Sequence, residues 1–245
     1  SSPVEPGART PSPELRRQSG HADVQRLRRP GAGPVRRDGS AKELLKPQTV
    51  AKILVFAAAC LPAAALAYKF YRYFNGDFNA LTANPGDYIT DQTGTWTLAF
   101  ITISLCITPL RRLTGWNQAI KFRRMLGLFA FFYVTLHLLT WIVFVHFFEV
   151  KFMIEDVVKR PFITVGMAAF LILFSLAITS NRFAIRKLGK RWQTLHRLVY
   201  VAAILGVIHF WWLVKADITL PRRWAVAVAL LLGFRVWWTL RSHRP

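Results

Sequence analysis

The chain has 245 residues, of which 53% are hydrophobic, and a formal net charge of +21. Between residues 50 and 240, long apolar runs alternate with short charged connectors, a pattern that favours repeated membrane crossing and excludes an ordinary soluble domain. The basic residues stand at the ends of the apolar runs, as the positive-inside rule expects, so the charge does not indicate nucleic-acid binding. Cys60 and Cys106 lie in apolar runs without a CxxC or CxxCH pattern, which argues against a disulfide framework, zinc, iron–sulfur clusters and covalently attached haem.

The first segment, residues 1–46, is rich in Pro, Gly, Ser and Arg and has almost no apolar periodicity. It carries three arginine pairs, at positions 16–17, 28–29 and 36–37. This composition predicts a disordered, basic cytoplasmic tail. A membrane domain is predicted to follow over residues 47–241.

Six apolar runs follow the tail, and most reach the roughly 17 to 25 residues that a helix needs to cross the hydrocarbon core. The second run is short and is expected to begin earlier, near Thr93 or Gly94, while the fourth opens on Pro161, a residue suited to a first helical turn. The predicted fold is all-α, an integral membrane bundle of six transmembrane helices. The predicted spans are residues 51–68, 96–110, 125–148, 161–179, 195–214 and 224–240.

The connectors predict the orientation of the bundle. The segments 111–124 and 181–194 each hold five Lys or Arg residues and no acid, whereas 69–95 and 149–160 contain Asp or Glu. An excess of Lys and Arg marks the cytoplasmic side. Both termini are therefore predicted to be cytoplasmic.

Histidines are the ionisable residues that lie deepest in the predicted spans, and such residues are functional candidates because they are costly to bury in lipid. His137 follows Arg124 by 13 residues, and His209 follows Arg197 by 12. At a rise of about 1.5 Å per residue, both lie roughly 18 to 20 Å from the inner boundary, on helices that run in the same direction. Two imidazoles at one level are suited to ligate a haem iron from both faces. Two packing histidines bonded to backbone or hydroxyl groups are the alternative.

Two further histidines have less clear roles. His146 lies nine residues beyond His137, about 180° around the helix, and is predicted to be interfacial. His196 lies some 20 Å closer to the cytoplasm than His209 and cannot share its haem. A second haem with an unusual partner, a flavin contact, a headgroup contact and plain interfacial placement all remain open for His196.

Several motifs in order closely resemble the MsrQ family, also called YedZ, within the ferric-reductase-like transmembrane superfamily. The resemblance covers about residues 50–240. The matching stretches are GTWTLAFITISLCITPLRRL (94–113), RRMLGLFAFFYVTLH (123–137), KRPFITVG (159–166), AITS (177–180) and RKLGKRWQTLHRLVYVAAILGVIHFWW (186–212).

This resemblance implies a haem b protein in the lipid of the bacterial inner membrane. It implies that the protein takes electrons from a cytoplasmic flavin reductase or a quinol, in part through bound FMN. It also implies that these electrons pass to MsrP, a periplasmic molybdopterin-containing enzyme that reduces oxidised methionines. The family's haem-linked histidines fall on His137, His196 and His209. Its arginine pair linked to flavin use falls on Arg123 and Arg124, although ordinary positive-inside charge also explains that pair.

The sequence contains no Gly-rich dinucleotide fingerprint, so an external donor is expected. The main competing hypothesis is a small channel or transporter that uses buried histidines for protons or metal ions. An intramembrane protease is disfavoured because Ser104, Ser175 and Ser180 stand in no GxSxG context. Bound haem, visible as a Soret band, separates the electron carrier from the channel.

Overall fold

The computed structural model describes residues 47–242, so the predicted tail of residues 1–46 lies outside the described part. Within residues 47–242 the chain is helical throughout, with short turns and loops between the helices. The α-helices are α1 Pro47–Phe74, α2 Pro85–Thr114, α3 Ile120–Thr140, α4 Val150–Lys159, α5 Pro161–Ile178, α6 Arg182–Leu188, α7 Lys190–His196, α8 Val199–Leu213 and α9 Thr219–Ser242.

Six of the described segments are long and apolar enough to cross a membrane, which confirms the predicted all-α fold with six spans. Helices α7 and α8 together form the fifth segment. The orientation of the termini stays a prediction from the connector charges. The segments are Pro47–Phe74, Phe78–Thr114, Asn117–Val145, Pro161–Ile178, Lys190–Leu213 and Thr219–Ser242.

The second span is the centre of the bundle. Half of its most apolar window is buried inside the protein, against 6% for the first and last spans. Helix α2 packs most extensively against α3, and α5 packs against α8. In the α2–α3 interface Phe100 stacks on Tyr133 and Phe129, with ring centroids 5.1 and 5.6 Å apart, an arrangement that favours close aromatic packing in the core.

Helix α2 begins at Pro85, which is eleven residues before residue 96 and eight before Thr93, the earliest start that the sequence predicted. The side chain of Asn84 caps it by accepting a hydrogen bond from the Asp87 N–H at 3.3 Å, and Pro85 fills the first turn, where no N–H is needed. The acidic residues of this first part lower its hydropathy, so the sequence prediction placed it in a connector. Thr90 and Asp91 consequently belong to the helix and not to a loop.

The third span ends earlier than its predicted limit at residue 148. Helix α3 continues into one π-helical turn over Trp141–Val145, and the chain then reverses. Phe147 and Phe148 have φ values of 48° and 65°, a left-handed conformation that is incompatible with continued helix. Residues 146–148 therefore form a turn between α3 and α4.

Helix α1 meets the bundle at a proline in its interior. Pro62 has no N–H to donate and its ring disturbs the preceding turn of the helix. The buried Tyr133 hydroxyl inserts at this point, accepting from the Ala63 N–H at 3.0 Å and donating to the Ala59 carbonyl at 2.9 Å. A side chain thus replaces a direct helical hydrogen bond and fixes α1 to α3.

Two of the connectors between spans are stabilised by side-chain interactions, an ion pair on α4 and a cap at the start of α9. Lys159 pairs with Glu155 on α4 and, by hydrogen bonding to its carboxylate, holds the pKa of Glu155 below its ordinary value. Asp217 accepts a hydrogen bond from the Thr219 N–H at 2.9 Å at the start of α9. Hydrogen bonds from the Thr219 side chain and backbone lower the pKa of Asp217.

Candidate functional site

His137 on α3 and His209 on α8 face each other across the interior of the bundle. Their ring centroids are 6.1 Å apart and their planes are inclined by 84°. The two rings therefore lie at one level, as the helix rise predicted. His137 lies in the last α-helical turn of α3, before the π-helical turn, and His209 lies four residues before the end of α8, so both are in the half of the bundle that is predicted to face outward.

Each imidazole is oriented by a main-chain carbonyl of a neighbouring helix. Nδ1 of His137 lies 2.9 Å from the Thr90 carbonyl oxygen, and Nδ1 of His209 lies 2.6 Å from that of Phe162. A carbonyl oxygen only accepts, so each Nδ1 carries the proton and donates. Each Nε2 is left with its lone pair, the form in which a histidine ligates a metal.

Two glycines make room for the rings. A Cβ on Gly94 would lie 3.1 Å from Cε1 of His137, and a Cβ on Gly166 would lie 2.7 Å from Nδ1 of His209. The distance of 2.7 Å at Gly166 is shorter than the contacts that Cβ atoms make with non-bonded atoms in proteins. Glycine at these two positions of α2 and α5 therefore lets each imidazole lie directly against a neighbouring helix.

A cavity of about 180 Å³ adjoins both histidines. Its walls are mostly aliphatic and aromatic, with Trp141, Phe162, Phe170 and Phe210 among the lining residues, and Asp91 is the one carboxylate among the described residues of that lining. Water needs polar partners to occupy such a space, whereas an apolar macrocycle is solvated by walls of this kind.

The spacing of the rings suits a metal held between them. Two metal–nitrogen bonds of about 2 Å each, with about 1 Å more from each ring edge to its centre, put the centroids about 6 Å apart. The observed separation is 6.1 Å. Together with the two free lone pairs and the apolar walls, this spacing fits a haem that would be held by His137 and His209.

His196 lies apart from this pair, at the end of α7. Its ring stacks on Trp192, with centroids 3.9 Å apart, while Nδ1 is 3.2 Å from the Trp192 carbonyl and Nε2 is 3.3 Å from the Ser180 hydroxyl. Both ring nitrogens thus have protein partners. The structure does not bring His196 to the site of His137 and His209.

Arg123 and Arg124 line different surfaces of α3, because successive residues of an α-helix diverge by about 100°. Arg123 lies near the Tyr200 hydroxyl, 3.5 Å away, on the side of His196. Arg124 lines a groove beside α1. The expected pair of flavin-linked arginines is therefore divided between two faces of the bundle.

His146 follows the outer end of the third span, and its position at the membrane interface stays a prediction, but its side chain is buried within the protein, with 8% exposure. Its ring packs on Trp141, and its Nε2 is 3.2 Å from Oδ2 of Asp156, although the angles are not those of a standard hydrogen bond. Asp156 also contacts Arg160, with Nε and Oδ1 3.2 Å apart. The reversal at residues 146–148 brings α4 over His146, which a continuous helix would have left at the surface.

Several site residues were missed by the sequence prediction. Thr90 and Phe162 supply backbone carbonyls, and no side-chain pattern marks such a role. Gly94 and Gly166 stand in apolar runs, where glycine is common in membrane helices. The Asn84-Pro85 cap was the one signal that could have extended α2 to include Thr90 and Asp91.

Comparison with known proteins agrees with this architecture. Residues 93–207 match the family described as ferric reductase like transmembrane component. The chain thus contains a ferric-reductase-like transmembrane domain, and with its six apolar helices it is a multi-pass protein of the bacterial inner membrane. No solved structure matches it.

Curated relatives define the family more narrowly. A protein of Herminiimonas arsenicoxydans is 52% identical over 198 residues, covering 80% of this chain and 88% of the relative. A protein of Bordetella pertussis is 48% identical over 196 residues, with 78% and 92% covered. Both carry the name protein-methionine-sulfoxide reductase heme-binding subunit MsrQ. The chain belongs to the MsrQ family, and this membership supports a role in membrane electron transfer.

Proposed function

We propose that this chain binds haem b between His137 and His209 and carries electrons across the membrane as a subunit of a methionine sulfoxide reductase system. The observation that carries the proposal is the facing pair of imidazoles, 6.1 Å apart, with both Nδ1 atoms bonded to carbonyls. The relatives named as heme-binding subunits support the same interpretation. Haem iron, when bound, supplies one-electron chemistry between its ferric and ferrous states.

The protein's own groups orient and tune the ligands. The Thr90 and Phe162 carbonyls accept from Nδ1–H, which fixes the tautomer and raises the basicity of Nε2. The apolar walls exclude water from the ligand atoms. Gly94 and Gly166 keep the rings against the helices that hold these carbonyls.

We further propose that electrons leave toward a periplasmic, molybdopterin-containing partner, MsrP. His137 and His209 lie in the outer halves of their spans, nearer the side predicted to be periplasmic, which favours transfer to a protein docked there. Reduction of a sulfoxide to a thioether consumes two electrons and two protons and releases water. A single haem would therefore pass one electron twice for each sulfoxide.

On the opposite side, a cytoplasmic flavin reductase or a quinol is the proposed donor, with FMN held at one of the two arginines Arg123 and Arg124, which face different surfaces. Arginine binds phosphate by charge-assisted hydrogen bonds. Arg123 is the better placed of the two for a cofactor inside the bundle, because it shares a face with His196 and Tyr200. His196, which the family resemblance places among the haem-linked residues, is proposed to serve this inner site.

The test of the main proposal is the absorbance spectrum of the purified protein with its haem content. We expect a Soret band that shifts on reduction with dithionite, and one haem for each chain at the site of His137 and His209. A colourless protein that conducts protons or metal ions in vesicles would instead support the channel hypothesis.

The flavin proposal has its own test. Purified protein is expected to release FMN on heat denaturation, and Arg123→Ala is expected to lower the FMN content while the haem spectrum stays intact. Comparing Arg123→Ala with Arg124→Ala identifies the arginine that is used, since the two face different surfaces. Equal FMN content in both variants and the parent protein would refute the assignment of FMN to these arginines.

A further inference from the structure

A groove of about 580 Å³ separates α1 from α3 on the side that is predicted to be cytoplasmic. Its walls are apolar, and its lining includes Phe56, Cys60, Leu128 and Phe132. Tyr133 joins α1 to α3 by its bonds to Ala59 and Ala63. Closer to the predicted cytoplasmic side, Phe56 of α1 packs edge-on against Phe129 of α3, with ring centroids 5.3 Å apart, and both rings line the groove.

The mouth of the groove is strongly basic. Lys52 near the start of α1 and Lys121 and Arg124 at the start of α3 all belong to the lining, whose described residues include no Asp or Glu. All three residues are exposed. Three cations in the lining of one groove attract an anionic group, most strongly at the edge of a membrane.

The length of the groove matches one leaflet of a bilayer. Arg124 and Phe132 are eight residues apart on α3, or about 12 Å, and Lys52 and Ala63 are eleven apart on α1, or about 16 Å. Half of a hydrocarbon core of about 30 Å is about 15 Å. A chain that enters at the basic mouth therefore reaches the Tyr133 junction near the bilayer centre.

We propose that this groove is a binding site for an anionic phospholipid of that leaflet. The phosphate lies among Lys52, Lys121 and Arg124, and one acyl chain lies along the wall formed by Phe56, Leu128 and Phe132. A quinol headgroup is neutral and does not match three cations. A flavin ring needs several polar partners, and the wall above the mouth offers only the Cys60 thiol among its described side chains. This proposal does not depend on haem binding.

Native mass spectrometry of the full chain in detergent, titrated with phosphatidylglycerol and separately with phosphatidylcholine, tests the proposal. The variant Lys52→Gln/Lys121→Gln/Arg124→Gln is expected to weaken phosphatidylglycerol binding by about tenfold or more, with little effect on phosphatidylcholine. The matched control is Arg186→Gln/Lys187→Gln/Lys190→Gln, which removes three exposed cations from α6 and α7 on the same predicted side. The control is expected to change binding by less than about twofold.

A second variant leaves the charges in place. Leu128→Trp fills the groove and is expected to lower phosphatidylglycerol binding, whereas Leu139→Trp, at an exposed position of α3 outside the groove lining, is not. Circular dichroism and gel filtration establish that each variant is folded. Equal losses in the groove and control triple variants, or no loss in Leu128→Trp, would overturn the proposal. Displacement of the lipid by micromolar FMN would overturn it in favour of a flavin site.

Discussion

Nδ1 of His209 lies only 2.7 Å from the position that a Cβ on Gly166 would occupy. The same nitrogen is bonded to the Phe162 carbonyl, one helical turn earlier on α5. Gly166 therefore lets α5 approach the imidazole closely enough to orient it. At the equivalent position, a Cβ on Gly94 would lie 3.1 Å from the nearest ring atoms of His137, so that contact is less tight.

Replacing Gly166 by Ala is expected to displace the His209 ring and to remove most of the bound haem. Gly94→Ala should have a smaller effect, because a shift of a few tenths of an ångström accommodates the methyl group. Haem content of the purified variants, measured as the pyridine haemochrome, gives the comparison.

Gly127→Ala serves as the control for these changes, since no neighbouring atom lies within 4 Å of the position that its methyl group would take. It should keep full haem and gain about 0.5 to 1 kcal/mol of helix stability. Equal haem in Gly166→Ala and Gly127→Ala would contradict the role given to the glycine.

His137→Ala and His209→Ala are each expected to abolish most haem binding, because an iron with one axial ligand is poorly held in an apolar site. His196→Ala should leave that haem in place, since its ring nitrogens bond to Ser180 and Trp192 instead. The haem content of each variant is measured from its optical spectrum at equal protein concentration. Full haem retention in either of the first two variants would show that the ligand assignment is wrong.

Much of this architecture follows from physical rules that act on the sequence directly. Bilayer thickness demands long apolar runs, so six spans were predictable, and the regular rise of a helix was enough to place His137 and His209 at one level. The burial of His146 was not predictable, because it depends on the reversal at Phe147 and Phe148 and on Asp156 of α4. The roles of the Thr90 and Phe162 carbonyls were not predictable either, because every residue type has a main-chain carbonyl.

The contacts of Asp156 predict a stabilising role for the connector between α3 and α5. Asp156→Asn removes the charge that faces both His146 and Arg160, and it should lower stability by about 1 to 3 kcal/mol. Thermal unfolding followed by circular dichroism measures the change. Glu155→Gln, the neighbouring exposed carboxylate paired with Lys159, should change the midpoint little. An unchanged midpoint in Asp156→Asn would count against a stabilising pair.

Tyr133→Phe is expected to loosen α1, because Ala63 N–H and the Ala59 carbonyl lose their bridging hydroxyl. The free energy of unfolding should fall by about 1 to 3 kcal/mol. Cys60, in the same stretch of α1, should also react faster with a membrane-permeant maleimide. The assay uses a Cys106→Ser background so that one thiol is followed. Tyr88→Phe, which removes a hydroxyl bonded to Lys69, is the control and should leave the rate unchanged.

The acceptors of both imidazole protons are main-chain oxygens, so no side-chain replacement at Thr90 or Phe162 deletes them. Movement of a helix end, or of the imidazole itself, alters these bonds. Helix α5 starts at Pro161, directly after the connector that carries Asp156 and Arg160. With haem held at His209 as proposed, a protein that docks on this connector and shifts it would change the electron density at Nε2 of His209. The midpoint potential of the haem would then respond to contacts made at the predicted outer surface, without any group approaching the iron.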